Sequence, residues 1–130
     1  MLRILLVTVR REHLRVFIEG LSSDPEVELE YASSEAEALS IVRNNCPHLV
    51  IIDSGPSDNA SLDLVRRIIS VNAMVNTAVV SPLSEADFHD KSEGLGVLCR
   101  LPLEPGNQDS RALLQLLRDV AALAGNNIRS

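Results

Sequence analysis

Five short apolar runs punctuate the chain, at Arg3–Val7, Val27–Ala32, Leu49–Asp53, Thr77–Ser81 and Val97–Leu101, and each is followed by a stretch long enough for a helix. The spacing predicts five successive β–α units. Leu49-Val50-Ile51-Ile52 is apolar without alternation, the pattern of a central parallel strand covered by helices on both faces. Between the runs the period changes to that of a helix. Leu14, Phe17, Ile18 and Leu21 share one face of the first helix, with Gly20 and Pro25 near its exit. Ser34-Glu35-Ala36-Glu37 reads as a capping box opening the second helix, whose apolar face is Ala38, Leu39, Ile41 and Val42. Leu62, Val65, Ile68 and Ile69 serve the third. The fourth, around Ala86–Glu93, is short and weakly apolar, and the fifth carries Leu113, Leu114, Leu116, Leu117 and Val120 behind a cap at Asp109 or Ser110. The expected fold is a doubly wound α/β domain, a five-stranded parallel sheet between two layers of helices.

Right-handed crossovers in such a sheet put any site at the carboxyl ends of the strands, which directs attention to Thr8, Val9, Asp53, Ser81 and Leu101. Asp53 ends the most hydrophobic run and is the best nucleophile candidate. Ser81 ends the fourth run and Pro102 follows the fifth, so an acid, a hydroxyl and a rigid turn converge.

The composition narrows the function. A chain of 130 residues with 45% apolar and 23% charged residues is globular and of single-domain size, and 2% aromatics leaves the core to Leu, Ile, Val and Ala. A net charge of −6 argues against binding nucleic acid, and Arg10, Arg11 and Arg15 read as a solvated helix start rather than a DNA-binding patch. Cys46 and Cys99 have no CxxC spacing and read as buried free thiols. Apolar stretches fall short of the about 20 residues needed to cross a bilayer, so a cytoplasmic protein that does not engage membranes is expected. The domain is expected over residues 1–124, with a polar tail at 125–130.

The chain resembles the receiver domain of two-component response regulators over roughly Met1 to Leu123. The resemblance rests on Ile4-Leu5-Leu6-Val7, on His48-Leu49-Val50-Ile51-Ile52-Asp53, on Ser81 after the fourth run, and on Gly94 ahead of Pro102. It implies a flavodoxin-like, CheY-like sheet of strand order 2-1-3-4-5. It also implies a phosphoryl-accepting Asp53, with Ser81 as the hydroxyl that contacts the phosphoryl group, and a Leu101–Pro102 bond that is a cis candidate.

This chain departs from the family at the rest of the site. Thr8 and Val9 stand where the family has the acidic pair that holds Mg²⁺. Leu101 replaces the family's lysine, and Leu98 the aromatic residue of the switch. Aspartyl phosphorylation depends on cations around the phosphoryl oxygens, so Mg²⁺ binding is expected to be weak or absent. Arg100 is a poor substitute for the lysine, since alternation points it away if Leu101 faces the site, to the same side as Leu98. Arg10 or Arg11 could swing over Asp53 and form an ion pair where the family holds a metal. Glu12 and Asp58 are weaker candidates for replacement ligands, and the loop from Ser54 to Ser61 carries Pro56 one position earlier than the family usually does.

The sequence therefore favours a non-catalytic, receiver-like signalling module. It would dock on a protein partner, a histidine kinase or an output protein, or on itself through the face of the fourth helix, fifth strand and fifth helix. One alternative is a true phosphoacceptor served by a histidine kinase. Another is a flavodoxin-type cofactor binder, which the glycine-free segment Thr8-Val9-Arg10-Arg11-Glu12 disfavours.

Overall fold

The computed structural model describes residues 2–53 and 58–123. The elements run β1 (Leu2–Val7), a 3₁₀ turn (Arg11–Leu14), α1 (Arg15–Ser22), β2 (Val27–Ala32), α2 (Glu35–Asn44), β3 (Leu49–Asp53), α3 (Asp58–Val71), β4 (Asn76–Val80), α4 (Glu85–Ser92), β5 (Cys99–Leu101) and α5 (Asn107–Leu123). All strands are parallel, in the order β2-β1-β3-β4-β5. The tail at 125–130 and the segment 54–57, with Pro56, lie outside the described residues.

Strand composition follows position in this order. Every residue of β3 is buried, because it sits mid-sheet with helices on both faces. On the edge strand β2, Glu28 and Glu30 alternate with less exposed neighbours, and charges of that kind discourage further strand pairing. Alternation along the inner strands sends side chains to two cores. Leu5, Val7, Val50, Ile52 and Val79 join Ala38, Val42, Val65, Ile68 and Phe88, which places α2, α3 and α4 on one face. Ile4, Leu6, Leu49, Ile51 and Val80 join Leu14, Phe17, Leu21, Leu113 and Leu117, which places α1 and α5 on the other.

The helix starts refine the expectations. Ser34 Oγ accepts the Glu37 N–H at 3.1 Å, while the Glu37 carboxylate accepts the Ser33 N–H at 3.0 Å. Ser84 caps α4 in the same way through the Asp87 N–H. α5 begins at Asn107, ahead of the predicted caps. Asp109 lies in its first turn and reaches back to the Gly106 N–H at 2.7 Å, and Ser110 is buried, donating to the Phe17 carbonyl at 2.8 Å. Cys46 and Cys99 are free, as expected, but half-buried rather than fully buried. Burial, reinforced by Glu85 and Asp109, pushes the Cys99 thiol up to about 11.

Candidate functional site

The site assembles at the carboxyl edge of the sheet from the ends of four neighbouring strands, β1, β3, β4 and β5. Asp53 is in register with Val80, and Val80 with Leu101, so the three occupy one row across β3, β4 and β5. Val7 is in register with Ile52, and one residue further Thr8 comes level with Asp53. Asp53 follows the alternation of Leu49 and Ile51 and therefore faces the α1 and α5 side of the sheet. Its side chain is fully shielded from solvent.

A buried carboxylate needs donors, and two residues of the β1–α1 loop supply them. Thr8 Oγ1 donates to Asp53 Oδ2 at 2.8 Å. Arg10 Nε lies 3.0 Å from Oδ1 and 2.9 Å from Oδ2, sharing its proton between the two oxygens. The loop is itself fixed, since the Arg10 N–H donates to Thr8 Oγ1 at 3.0 Å. At the far side of the guanidinium, Arg10 Nη2 donates to the Leu103 carbonyl at 2.9 Å, tying in the segment after β5. A planar fork reaches two acceptors in this way where a lysine ammonium presents a single point of charge.

The other predicted site residues separate into those near Asp53 and those elsewhere. Arg11 does not reach Asp53; its guanidinium stacks on the Tyr31 ring at 3.8 Å. Val9 is 79% exposed and turned to solvent, so the second position of the family's acidic pair carries nothing into the site. Leu101 is buried in the α1 and α5 core, presenting methyl groups in the row that also holds Asp53. Ser81 is fully buried; its hydroxyl accepts the Leu83 N–H at 3.1 Å, and its N–H donates to the Leu101 carbonyl at 2.9 Å.

Arg100 points away from Asp53, as alternation requires. Nη1 donates to the Ser81 carbonyl at 3.0 Å, and Nη2 lies 3.4 Å from Glu85 on α4. Leu98 packs against the α1 and α5 core; it precedes β5, so the strand alternation that was expected to group it with Arg100 does not reach it. The Leu101–Pro102 bond is trans, contrary to the expected cis form, as is every peptide bond among the described residues. Trans is the lower-energy form even before proline, by about 0.5–1 kcal/mol. Glu12 is exposed beside the α5 entrance, and the Asp58 side chain lies outside the described residues. Among the described residues no three His, Cys, Asp or Glu side chains are grouped to hold a metal ion.

Two participants escape the sequence reading. Thr8 registers there only as a lost carboxylate, although a hydroxyl one residue past β1 sits level with Asp53 and can donate to it. The Leu103 carbonyl is a backbone group and leaves no mark in the sequence.

The chain matches a response regulator from Thermotoga maritima with a TM-score of 0.78 at 20% identity, over 91% of its own length and 98% of that chain. It matches a CheY-like receiver domain protein from Methanospirillum hungatei at 0.75 and 18% identity, over 92% and 95% of the two chains. A receiver domain protein from Clostridium thermocellum gives 0.72 and 22% identity, over 95% and 99%. No protein-family model and no curated protein matches the sequence. The fold is that of the response-regulator receiver domains, the CheY-like branch of the flavodoxin-like α/β class. In this chain the fold carries an arginine and a threonine on its strand-end aspartate.

Proposed function

We propose that this chain is a receiver-like module of two-component signalling that works by docking to a protein partner, with aspartyl phosphorylation impaired or lost. The observation that carries this reading is the Arg10 and Thr8 grip on Asp53. Phosphoryl transfer to an aspartate needs a free carboxylate oxygen as nucleophile and several positive charges around the incoming phosphoryl oxygens. Here Thr8 and Arg10 donate to one or both carboxylate oxygens. The lysine position holds Leu101, and Thr8 and Val9 stand in place of the acidic pair that would bring Mg²⁺. A single guanidinium already neutralised by Asp53 is a poor replacement for a divalent ion and a lysine.

Docking in receivers of this fold is carried by the face of α4, β5 and α5. In this chain that face includes Arg100, tied to Glu85, and the outer side of the Leu-rich α5. A histidine kinase, an output protein or a second copy of the chain are the partners this reading admits.

The test is incubation of the purified protein with a small phosphodonor and Mg²⁺, followed by intact-mass measurement. The expected result is an unchanged mass. A stoichiometric phosphoryl adduct, absent in Asp53→Asn, overturns the reading. It would favour the second one, in which a dedicated histidine kinase phosphorylates Asp53 and Arg10 supplies the positive charge. The Arg10 guanidinium beside Asp53 is the observation that recommends that alternative.

A further inference from the structure

Arg10 is held at both ends. Its Nε is on Asp53, at the end of β3, and its Nη2 is on the Leu103 carbonyl, in the segment between β5 and α5. The side chain is only 20% exposed, so both bonds lie where water competes weakly. The segment it holds continues as Glu104, Pro105 and Gly106, and these form one wall of a cleft of about 310 Å³ whose other wall includes Glu12, His13 and Val16. Besides the Arg10 bond, the two sides are joined by Ser110 Oγ, which donates to the Phe17 carbonyl on α1 at 2.8 Å and lies 3.3 Å from the Gly106 carbonyl, and by an exposed and long contact of His13 Nδ1 with Glu104 Oε2 at 3.5 Å. α5 starts directly behind the segment, and Asp109 closes its first turn on the Gly106 N–H.

We propose that Arg10 is a tie that transmits the charge of Asp53 to the β5–α5 segment, so that the Leu103 and Glu104 wall of this cleft keeps its position only while Asp53 is an unmodified carboxylate. The inference rests on the reading of Asp53 as a charge held by Arg10 rather than by a metal. The guanidinium is oriented by its charge-assisted bond to the carboxylate, and that orientation aims Nη2 at Leu103. An amide or ester at Asp53 removes the charge that fixes the fork, and Arg10 gains more by turning to water than by staying on one backbone carbonyl. The segment then loses its polar anchor at the Leu103 end, where only core packing of Leu103 remains, and the exposed His13 to Glu104 contact is too weak to replace the lost bond; Gly106 stays on Ser110. Arg10 acts here as a positioning residue, and the β5–α5 segment is the part that moves.

Hydrogen exchange of the full chain tests the tie. It is measured for the wild type, Asp53→Asn, Arg10→Gln, Arg10→Lys and the Asp53→Asn/Arg10→Gln double variant, with β3 and β4 amides as the control for intact folding. In Asp53→Asn and in Arg10→Gln the amides from Glu104 to Asp109 should exchange roughly tenfold faster, the factor that corresponds to losing one charge-assisted hydrogen bond. The double variant should add nothing further, because both single changes cut the same tie. Arg10→Lys, which keeps the charge but not the fork, should pair with Asp53 and still leave the segment loose. If Asp53→Asn exchanges like the wild type while Arg10→Gln is loosened, Arg10 braces the segment without regard to Asp53 and the proposal falls. It also falls if neither single variant changes the segment, or if Arg10→Lys restores full protection. Phosphodonor labelling is scored separately on the wild type, so a phosphorylated Asp53 would overturn the functional reading without being confused with any of these outcomes.

Discussion

Gly20 shows how much a single position can carry when two helices cross. A Cβ placed there would lie 2.4 Å from Ser110 Oγ and 2.7 Å from Ser110 Cβ, and Ser110 is pinned by its bond to the Phe17 carbonyl. The sequence offers Gly20 only as a marker of the helix exit, yet it lies inside α1 and lets α5 approach. Gly20→Ala should therefore cost about 1–3 kcal/mol by overpacking, read as a lower denaturant midpoint with an unchanged slope. Ser61 behaves in the opposite way. It is fully buried on α3, and among the described residues its hydroxyl has no hydrogen-bond partner. Ser61→Ala removes an unsatisfied polar group and should leave the melting temperature equal or higher, by up to about 1 kcal/mol of stability. At the site itself, Asp53 and Arg10 were legible because an acid ending an apolar run and an arginine in the facing loop are both visible in the chain. Choosing Arg10 over Arg11 was not, since it depends on which guanidinium the 3₁₀ turn aims inward and which it lays on Tyr31.

Among the elements, strands were read almost to the residue where they are buried on both faces, as in β3. The edge strand β2 was read to the residue, whereas β5, expected over Val97–Leu101, is only Cys99–Leu101. A short edge strand has one neighbour to set its length, and the glycines before it, Gly94 and Gly96 at φ 86° and 67°, bend the chain into it through backbone conformations that composition only suggests. The junction between β1 and β3 supplies a pH-dependent term. His48 Nδ1 accepts the Arg3 N–H at 3.0 Å, which requires an unprotonated Nδ1. Burial, with Arg3 alongside, holds the His48 imidazole below its ordinary value of 6.5. The unfolded chain therefore binds this proton more readily than the folded one, so stability is full above the ordinary value and falls as pH drops through it towards the depressed folded value. Thermal melts across that window should show a falling midpoint. His48→Asn, which keeps an acceptor at the Nδ1 position but does not titrate, should flatten the slope; an equal slope in the variant would assign it to other groups.

At the scale of the whole molecule, the order β2-β1-β3-β4-β5 brings the ends of β1, β3 and β5 to one edge, so residues far apart in sequence become neighbours. The hydrophobic pattern made the doubly wound parallel class legible, because few chain paths bury five β–α units, while the strand order followed from the resemblance to receiver domains. The trans Leu101–Pro102 bond was not legible, since proline permits both isomers and the context decides. Nor does the chain decide between a solvated loop after β1 and one that turns an arginine inward, both of which its residues allow. That inward turn has an energetic consequence. Arg10→Ala takes the guanidinium away from a shielded carboxylate that keeps its Thr8 bond, and removing one member of a buried pair typically costs about 3–5 kcal/mol. With Arg10 partly exposed, a loss near the lower end of that range is expected in denaturant unfolding.

The central claim is that an arginine and a threonine occupy Asp53 where receivers of this fold use a metal. Its most direct test is a Mg²⁺ titration of the nitrogen-labelled wild-type chain, followed by NMR at the backbone amides of Thr8, Val9, Arg10 and Asp53. These amides should show no saturable shift through millimolar Mg²⁺, and the Arg10 Nε–H resonance should stay in place. A saturable shift at these amides, with displacement of the Arg10 signal, would contradict the account.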